Sequence, residues 1–176
     1  YEGLVRYPAS DYDRQTVVEL GCGIGWISIA LAYRYSLKKI IGLDLNPKAI
    51  ICARLNLYLN GLKETADIIY DQHGQSLLGQ VQFFESNLFS HFNNKPIILD
   101  KVIGCIPQVL NPEPEVMETL VEEGASDEYL QSLSNYATKQ GTIEDQFGLG
   151  LIATAVESAI PLMHPSAKLI LNLGGR

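Results

Sequence analysis

No cluster of lysines or arginines occurs anywhere in this chain. Its 13 basic residues are outnumbered by 20 acidic ones, for a net charge of −7. Without a basic patch, a nucleic-acid partner is not expected. Cysteine is scarce: Cys22, Cys52 and Cys105 are far apart and form no C-x-x-C pair. Neither a disulfide framework nor a zinc site is expected from them, and a reducing, cytosolic compartment fits best. The three histidines, His73, His91 and His164, are scattered as well, so no metal is expected. No apolar run is long enough to span a membrane, and no membrane partner is expected. Internal repeats and low-complexity tracts are absent. The first residue is Tyr1, and the last, Gly174-Gly175-Arg176, directly follow an apolar run. Both ends read as cut, and the chain is expected to continue past Arg176 with at least one more hairpin, which would cover an open sheet edge.

What is present suits one soluble α/β domain. The 176 residues are 47% hydrophobic with a mean hydropathy of +0.07, enough for a sizeable core. Strand-like and helix-like segments alternate, which predicts a parallel sheet wrapped by helices. The expected strands are 16–20, 39–43, 81–85, 101–105 and 167–173. Helices are expected over 26–35, over 47–61 behind an Asn46-Pro47 start, over 115–123 and 127–139, and over 149–163. The polar stretch 62–80 reads as a loop, and the prolines between Ile106 and Pro114 make that segment mostly non-helical.

The most telling stretch is Glu19-Leu20-Gly21-Cys22-Gly23-Ile24-Gly25. A β-branched run feeds an acid, three glycines follow at alternate positions, and a helical pattern opens at Trp26. A strand that turns tightly into a helix start offers backbone N–H groups and a positive helix end to a small ligand. Glycine lets that ligand approach the backbone closely. The spacing is G-x-G-x-G, whereas the dinucleotide fingerprint is G-x-G-x-x-G. This disfavours an NAD-dependent oxidoreductase and points to S-adenosylmethionine.

Other candidates stand where ligands bind in open α/β sheets, beyond the carboxyl ends of strands. Asp44 closes the second strand, where a carboxylate meets ribose hydroxyls; the competing role is a charge at a helix start. Leu45 follows it. Glu19 either orients the glycine turn by accepting backbone N–H bonds or meets the cofactor's amino group. Asn87, after the third strand, has an oxygen able to accept from an adenine amino group, with Leu88 offering a backbone contact; the alternative is an Asx turn. Cys105-Ile106-Pro107-Gln108, after the fourth strand, should face the reacting group. Tyr1, Trp26 and Tyr136 are candidate aromatic walls for a substrate, since a sulfonium is attracted to aromatic faces.

The glycine turn, Asp44-Leu45-Asn46-Pro47 and Asn56-Leu57-Tyr58-Leu59-Asn60 resemble the class I methyltransferase fold. Gly104-Cys105-Ile106-Pro107-Gln108-Val109-Leu110-Asn111-Pro112, Leu133-Ser134-Asn135-Tyr136, Glu144-Asp145-Gln146-Phe147-Gly148 and Asn172-Leu173-Gly174-Gly175-Arg176 are more particular. Together they resemble the N-terminal domain of the plant methionine S-methyltransferases, over nearly the whole chain. The resemblance implies a Rossmann-like sheet with helices on both faces, truncated here after its fifth strand. It implies methyl transfer from S-adenosylmethionine to the thioether of free L-methionine, in a large cytosolic plant enzyme with an aminotransferase-like C-terminal part. Cofactor-binding roles carry over to Gly21, Gly23, Gly25, Asp44 and Asn87. Leu45, Leu88, Glu19 and Cys105 join them as expected lining, with Tyr1, Trp26, Ile106, Pro107 and Gln108 on the acceptor side. Any oligomer contact is expected through regions outside these 176 residues.

Related amide- and amine-modifying methyltransferases carry Asn-Pro-Pro-Tyr after the fourth strand. Here the matching positions read Cys105-Ile106-Pro107-Gln108, which fits an acceptor that needs no N–H to be held. A thioether has no proton to lose, so no catalytic base is expected and positioning carries the rate. The competing readings are a methyltransferase acting on a protein side chain or small amine, and a catalytically silent cofactor-sensing module.

Overall fold

The computed structural model describes residues 1–71, 74–106, 114–126 and 149–172. The chain divides into two compact units: Tyr1–Cys105 with Pro161–Leu171, and Ile106–Ile160 with Asn172–Arg176.

The first unit is built on five strands: β1 (Thr16–Leu20), β2 (Lys39–Asp44), β3 (Val81–Glu85), β4 (Leu99–Gly104) and β5 (Met163–Leu171). Their order is β3-β2-β1-β4-β5 and every pairing is parallel. Parallel neighbours need crossover connections, and α1 (Trp26–Arg34) and α2 (Pro47–Gly61) supply the first two, α2 being followed by a single turn, α3 (Leu77–Gln80). All five residues of β1 are buried, as a central parallel strand covered on both faces requires. On one face Val17, Ile40, Val81 and Phe83 share a cluster with Leu31 of α1 and with Ala53 and Leu57 of α2. The N-terminal segment adds Tyr12, whose hydroxyl donates to the Leu4 carbonyl at 2.7 Å. Beside it lies Lys101 of β4, 1% exposed, its Nζ 3.7 Å from the centre of the Tyr12 ring and without a hydrogen-bond partner among the described residues.

In the second unit α4 spans Pro114–Glu122 and α5 spans Gly150–Ala159. The buried residues of α5 include Leu151, Ile152, Ala155 and Ala159, a helical spacing. The helix expected over 127–139 lies outside the described residues.

β1 and β3 have the bounds their apolar runs predict. β4 begins two residues earlier than expected, because Asp100 is held at the strand start, where its Oδ2 accepts the Thr16 N–H at 2.8 Å. β5 begins at Met163, not Ala167, so the preceding helix is shorter than its apolar run. Pro165 sits in that strand where the pairing with β4 shifts between Leu99 and Lys101, the kind of irregularity that admits a proline.

Candidate functional site

Five residues carry the chain from β1 into α1. Gly21, Gly23 and Gly25 hold φ angles of 66°, 53° and 78°, the left-handed region that strains any residue with a Cβ. The latter two glycines differ in their surroundings. A Cβ on Gly25 would lie 2.4 Å from Cζ of Phe83 and 2.9 Å from Cβ of Ala53, so this glycine sets how closely α1 approaches β3. A Cβ on Gly23 would meet nothing within 4 Å. The backbone of Gly23 therefore faces open space, as a ligand cradle must.

Gly25 is also the N-cap of α1, and no side chain among the described residues caps that helix. In α2 the Asn46 side chain accepts the Lys48 N–H at 2.9 Å. The contrast leaves the first-turn N–H groups and positive end of α1 open to a polar ligand.

Asp44 stands beside this turn, half-buried. Its Oδ2 accepts the Gly23 N–H at 2.8 Å and its Oδ1 the Asn46 N–H at 2.9 Å. One carboxylate thus ties the β1–α1 turn to the β2–α2 turn, and each oxygen keeps a further lone pair. The Asp44 carbonyl accepts the Ser86 N–H at 2.8 Å, linking the third turn to the other two. Leu45, half-buried, comes next.

Glu19 is 3% exposed, and its carboxylate accepts the hydroxyl of Ser28 in α1. Burial pushes its pKa up to about 7, against hydrogen bonding from the Ser28 hydroxyl and backbone N–H and with some help from the charge of Asp44. Cys22 is buried at the same turn, and burial first, then Glu19 and Asp44, push its thiol well above the ordinary range. That is an inert thiol, not a nucleophile.

Beyond β3, Asn87 is exposed and Leu88 is half-buried at φ 48°. Ser86 organises this turn: its hydroxyl donates to the Leu88 carbonyl at 2.7 Å and accepts the His91 N–H at 3.0 Å. Among the described residues the Asn87 side chain takes no part in holding the loop. Cys105 is exposed where β4 ends, and Ile106 is buried at the start of the second unit. Pro107, Gln108 and Tyr136 lie outside the described residues. Tyr1 and Trp26 meet each other, ring centres 5.5 Å apart and tilted by 50°. They line a cleft of about 550 Å³ along α1 with Ile29, Tyr33, Asn56 and Asn60, and neither Asp44, Asn87 nor the glycine turn lines it. Among the described residues no group of three His, Cys, Asp or Glu side chains is arranged to hold a metal ion.

Four residues escaped the sequence reading. Ser28 holds Glu19. Gly42 of β2 leaves room for Phe83, whose Cδ1 would lie 2.5 Å from a Cβ there. Phe83 therefore packs against two glycines, Gly25 and Gly42. Arg54 of α2 donates from Nε at 3.2 Å and Nη2 at 2.8 Å to the Phe83 carbonyl, fixing the edge strand beneath the turn. An isolated glycine inside a strand is the one signal that pointed this way.

Residues 4–97 match the family model described as "Methyltransferase small domain". The chain belongs to this family. The matched residues include the glycine turn, Asp44 and Asn87; Cys105 and the residues after it lie beyond the matched range. A protein named methionine S-methyltransferase from Hordeum vulgare is 53% identical over 176 residues, which is 100% of this chain and 16% of that protein. One of the same name from Zea mays is also 53% identical, over the same shares of each chain. The chain thus spans 16% of the length of these curated relatives. Among solved structures, TrmN from Thermus thermophilus is similar with a TM-score of 0.56 at 16% identity, over 98% of this chain and 36% of that one. That likeness shows the fold, the class I methyltransferase sheet flanked by helices.

Proposed function

We propose that this domain binds S-adenosylmethionine beyond the carboxyl ends of β1, β2 and β3 and transfers its methyl group to the thioether sulfur of free L-methionine. The products are S-methylmethionine and S-adenosylhomocysteine. The observation that carries the cofactor half is the Asp44 carboxylate, held by the Gly23 and Asn46 N–H groups beside a left-handed turn whose middle glycine faces open space. The acceptor half is supported by the 53% identity to proteins named for that activity.

When bound, S-adenosylmethionine supplies an electrophilic methyl group on a sulfonium. Asp44 accepts the ribose hydroxyls through its remaining lone pairs, and the N–H groups at the start of α1 meet the polar end of the ligand. Asn87, unoccupied by its own loop, accepts from the adenine amino group, with Leu45 and Leu88 alongside. Glu19 and Ser28 hold the turn in shape. This reading assigns recognition of the acceptor to Cys105, Ile106, Pro107 and Gln108. No residue needs to take a proton, because the attacking sulfur carries none; the chain contributes orientation and exclusion of water. Residues 1–176 belong to one methyltransferase domain in this reading, and the cytoplasm is its compartment, in keeping with three cysteines spaced far apart in the sequence with no C-x-x-C pair.

The test is incubation of the full-length protein with methyl-labelled S-adenosylmethionine and a panel of acceptors. Label is expected on methionine sulfur; label confined to amines or to protein side chains would overturn the acceptor. In the same assay Gln108→Ala should raise KM for methionine more than KM for the donor.

A further inference from the structure

α2 is a surface helix with almost no charge. Its fifteen residues, PKAIICARLNLYLNG, include only Lys48 and Arg54 as charged groups. Ile50, Ala53 and Leu57 are buried on the inner face. Ile51, Leu55, Tyr58 and Leu59, spaced along the opposite face, are 57%, 55%, 53% and 78% exposed. A helix that is apolar on both faces belongs between two partners, and this one has a sheet on one side and nothing among the described residues on the other. The cleft along α1 adjoins it: Asn56 and Asn60 of α2 line that cleft with Tyr33, itself 84% exposed. Scattered apolar side chains need no explanation, but an apolar face whose single charge, Lys48, stands at its N-terminal end marks an interaction surface.

We infer that the outer face of α2 and the adjoining cleft seat a part of the same polypeptide lying outside residues 1–176. Two observations choose this occupant. Relatives that match the whole of this chain have only 16% of their own length in the matched region, so most of such a polypeptide lies elsewhere. From Ile51 to Leu59 the face carries none of the charged residues that decorate transient surfaces, and permanent contacts are the ones that look like a core cut in half.

Cys52 reports on the face directly, since it neighbours Ile51 and is exposed within residues 1–176. In the native full-length protein, Cys52 should be alkylated roughly tenfold more slowly than a reference thiol introduced by Lys38→Cys, an exposed position off this face. Peptide mass spectrometry follows each site. Leu55→Glu with Leu59→Glu should bring Cys52 up to the reference rate; both side chains are exposed, so neither change disturbs the core. Cys52 reacting as fast as the reference in the unmutated protein would overturn the proposal. Protection that fades on dilution, together with loss of a dimer, would assign the face to a second copy and overturn it equally.

Discussion

The hydroxyl of Ser28 donates to the buried carboxylate of Glu19, joining the first turn of α1 to the end of β1. The unfolded chain ionises Glu19 near 4.5, whereas the folded chain keeps its proton up to about 7. Between those values the native state binds more protons than the unfolded one. Stability therefore falls as pH rises from about 4.5 to about 7 and is level beyond, by roughly 3 kcal/mol in all. Urea unfolding across that range should show the decline, and Glu19→Gln should lack it while still accepting from Ser28. A decline of the same size in Glu19→Gln would assign it to another group. Ser28→Ala removes an interaction that lowers the Glu19 pKa, so its decline should extend above pH 7, with Ser28→Thr restoring the original range.

Phe83 separates two glycines that are tight for different reasons. Gly42→Ala places a Cβ 2.5 Å from the ring and should cost about 1–3 kcal/mol through overpacking. Phe83→Leu in the same chain should recover most of that. Gly25→Ala meets Phe83 too, with Ala53 Cβ at 2.9 Å where Gly42→Ala has Cys22 Cβ at 3.0 Å, but it adds a φ of +78°, so Phe83→Leu should rescue it only in part. Thermal unfolding of the two single and two double variants checks this; equal rescue would show that φ is unimportant at Gly25.

Asp44→Asn keeps an acceptor for one of the two backbone donors and turns an NH2 group toward the other. Affinity for S-adenosylhomocysteine should fall by about 1.5–3 kcal/mol, on the order of 10- to 100-fold, by loss of charge-assisted hydrogen bonds. Calorimetric titration measures it. Unchanged affinity with unchanged folding would remove Asp44 from the site.

Lys101 is buried against Tyr12 without a hydrogen-bond acceptor among the described residues. Contact with the ring favours its charged form, yet burial outweighs it and lowers its pKa from 10.5. The folded chain then binds fewer protons than the unfolded one between that lowered value and 10.5, so stability rises with pH there. Lys101→Met should be at least as stable at pH 7, since a buried charge is exchanged for an apolar chain of similar size. It should also lose the alkaline rise in melting temperature. A large loss of stability at pH 7 would mean that the cation holds Tyr12 in place.

The sheet was legible in the sequence wherever an apolar run is bounded by turn residues, as at Val81–Glu85 and in β1. It was less legible at β5, where Pro165 hides the true start: a proline reads as a boundary, and only pairing with β4 shows that the strand runs through it. The glycine turn and Asp44 were read from spacing because glycines at alternate positions and an acid closing the next strand stand out in the residues themselves. Ser28, Phe83 and Arg54 were not. Each acts on a partner many residues away, and nothing in a serine, phenylalanine or arginine at those positions announces it.

The two backbone bonds to Asp44 also bear on how affinity arises at this site. A carboxylate already fixed by Gly23 and Asn46 has one rotamer before any ligand arrives. Ordering a side chain on binding typically costs about 0.5–1.5 kcal/mol, and at this position that cost falls in folding instead. In the proposed site, whatever the ligand's hydroxyls gain from Asp44 would then be kept in full, and preorganisation of one acidic residue would make two separate turns respond to the ligand as one.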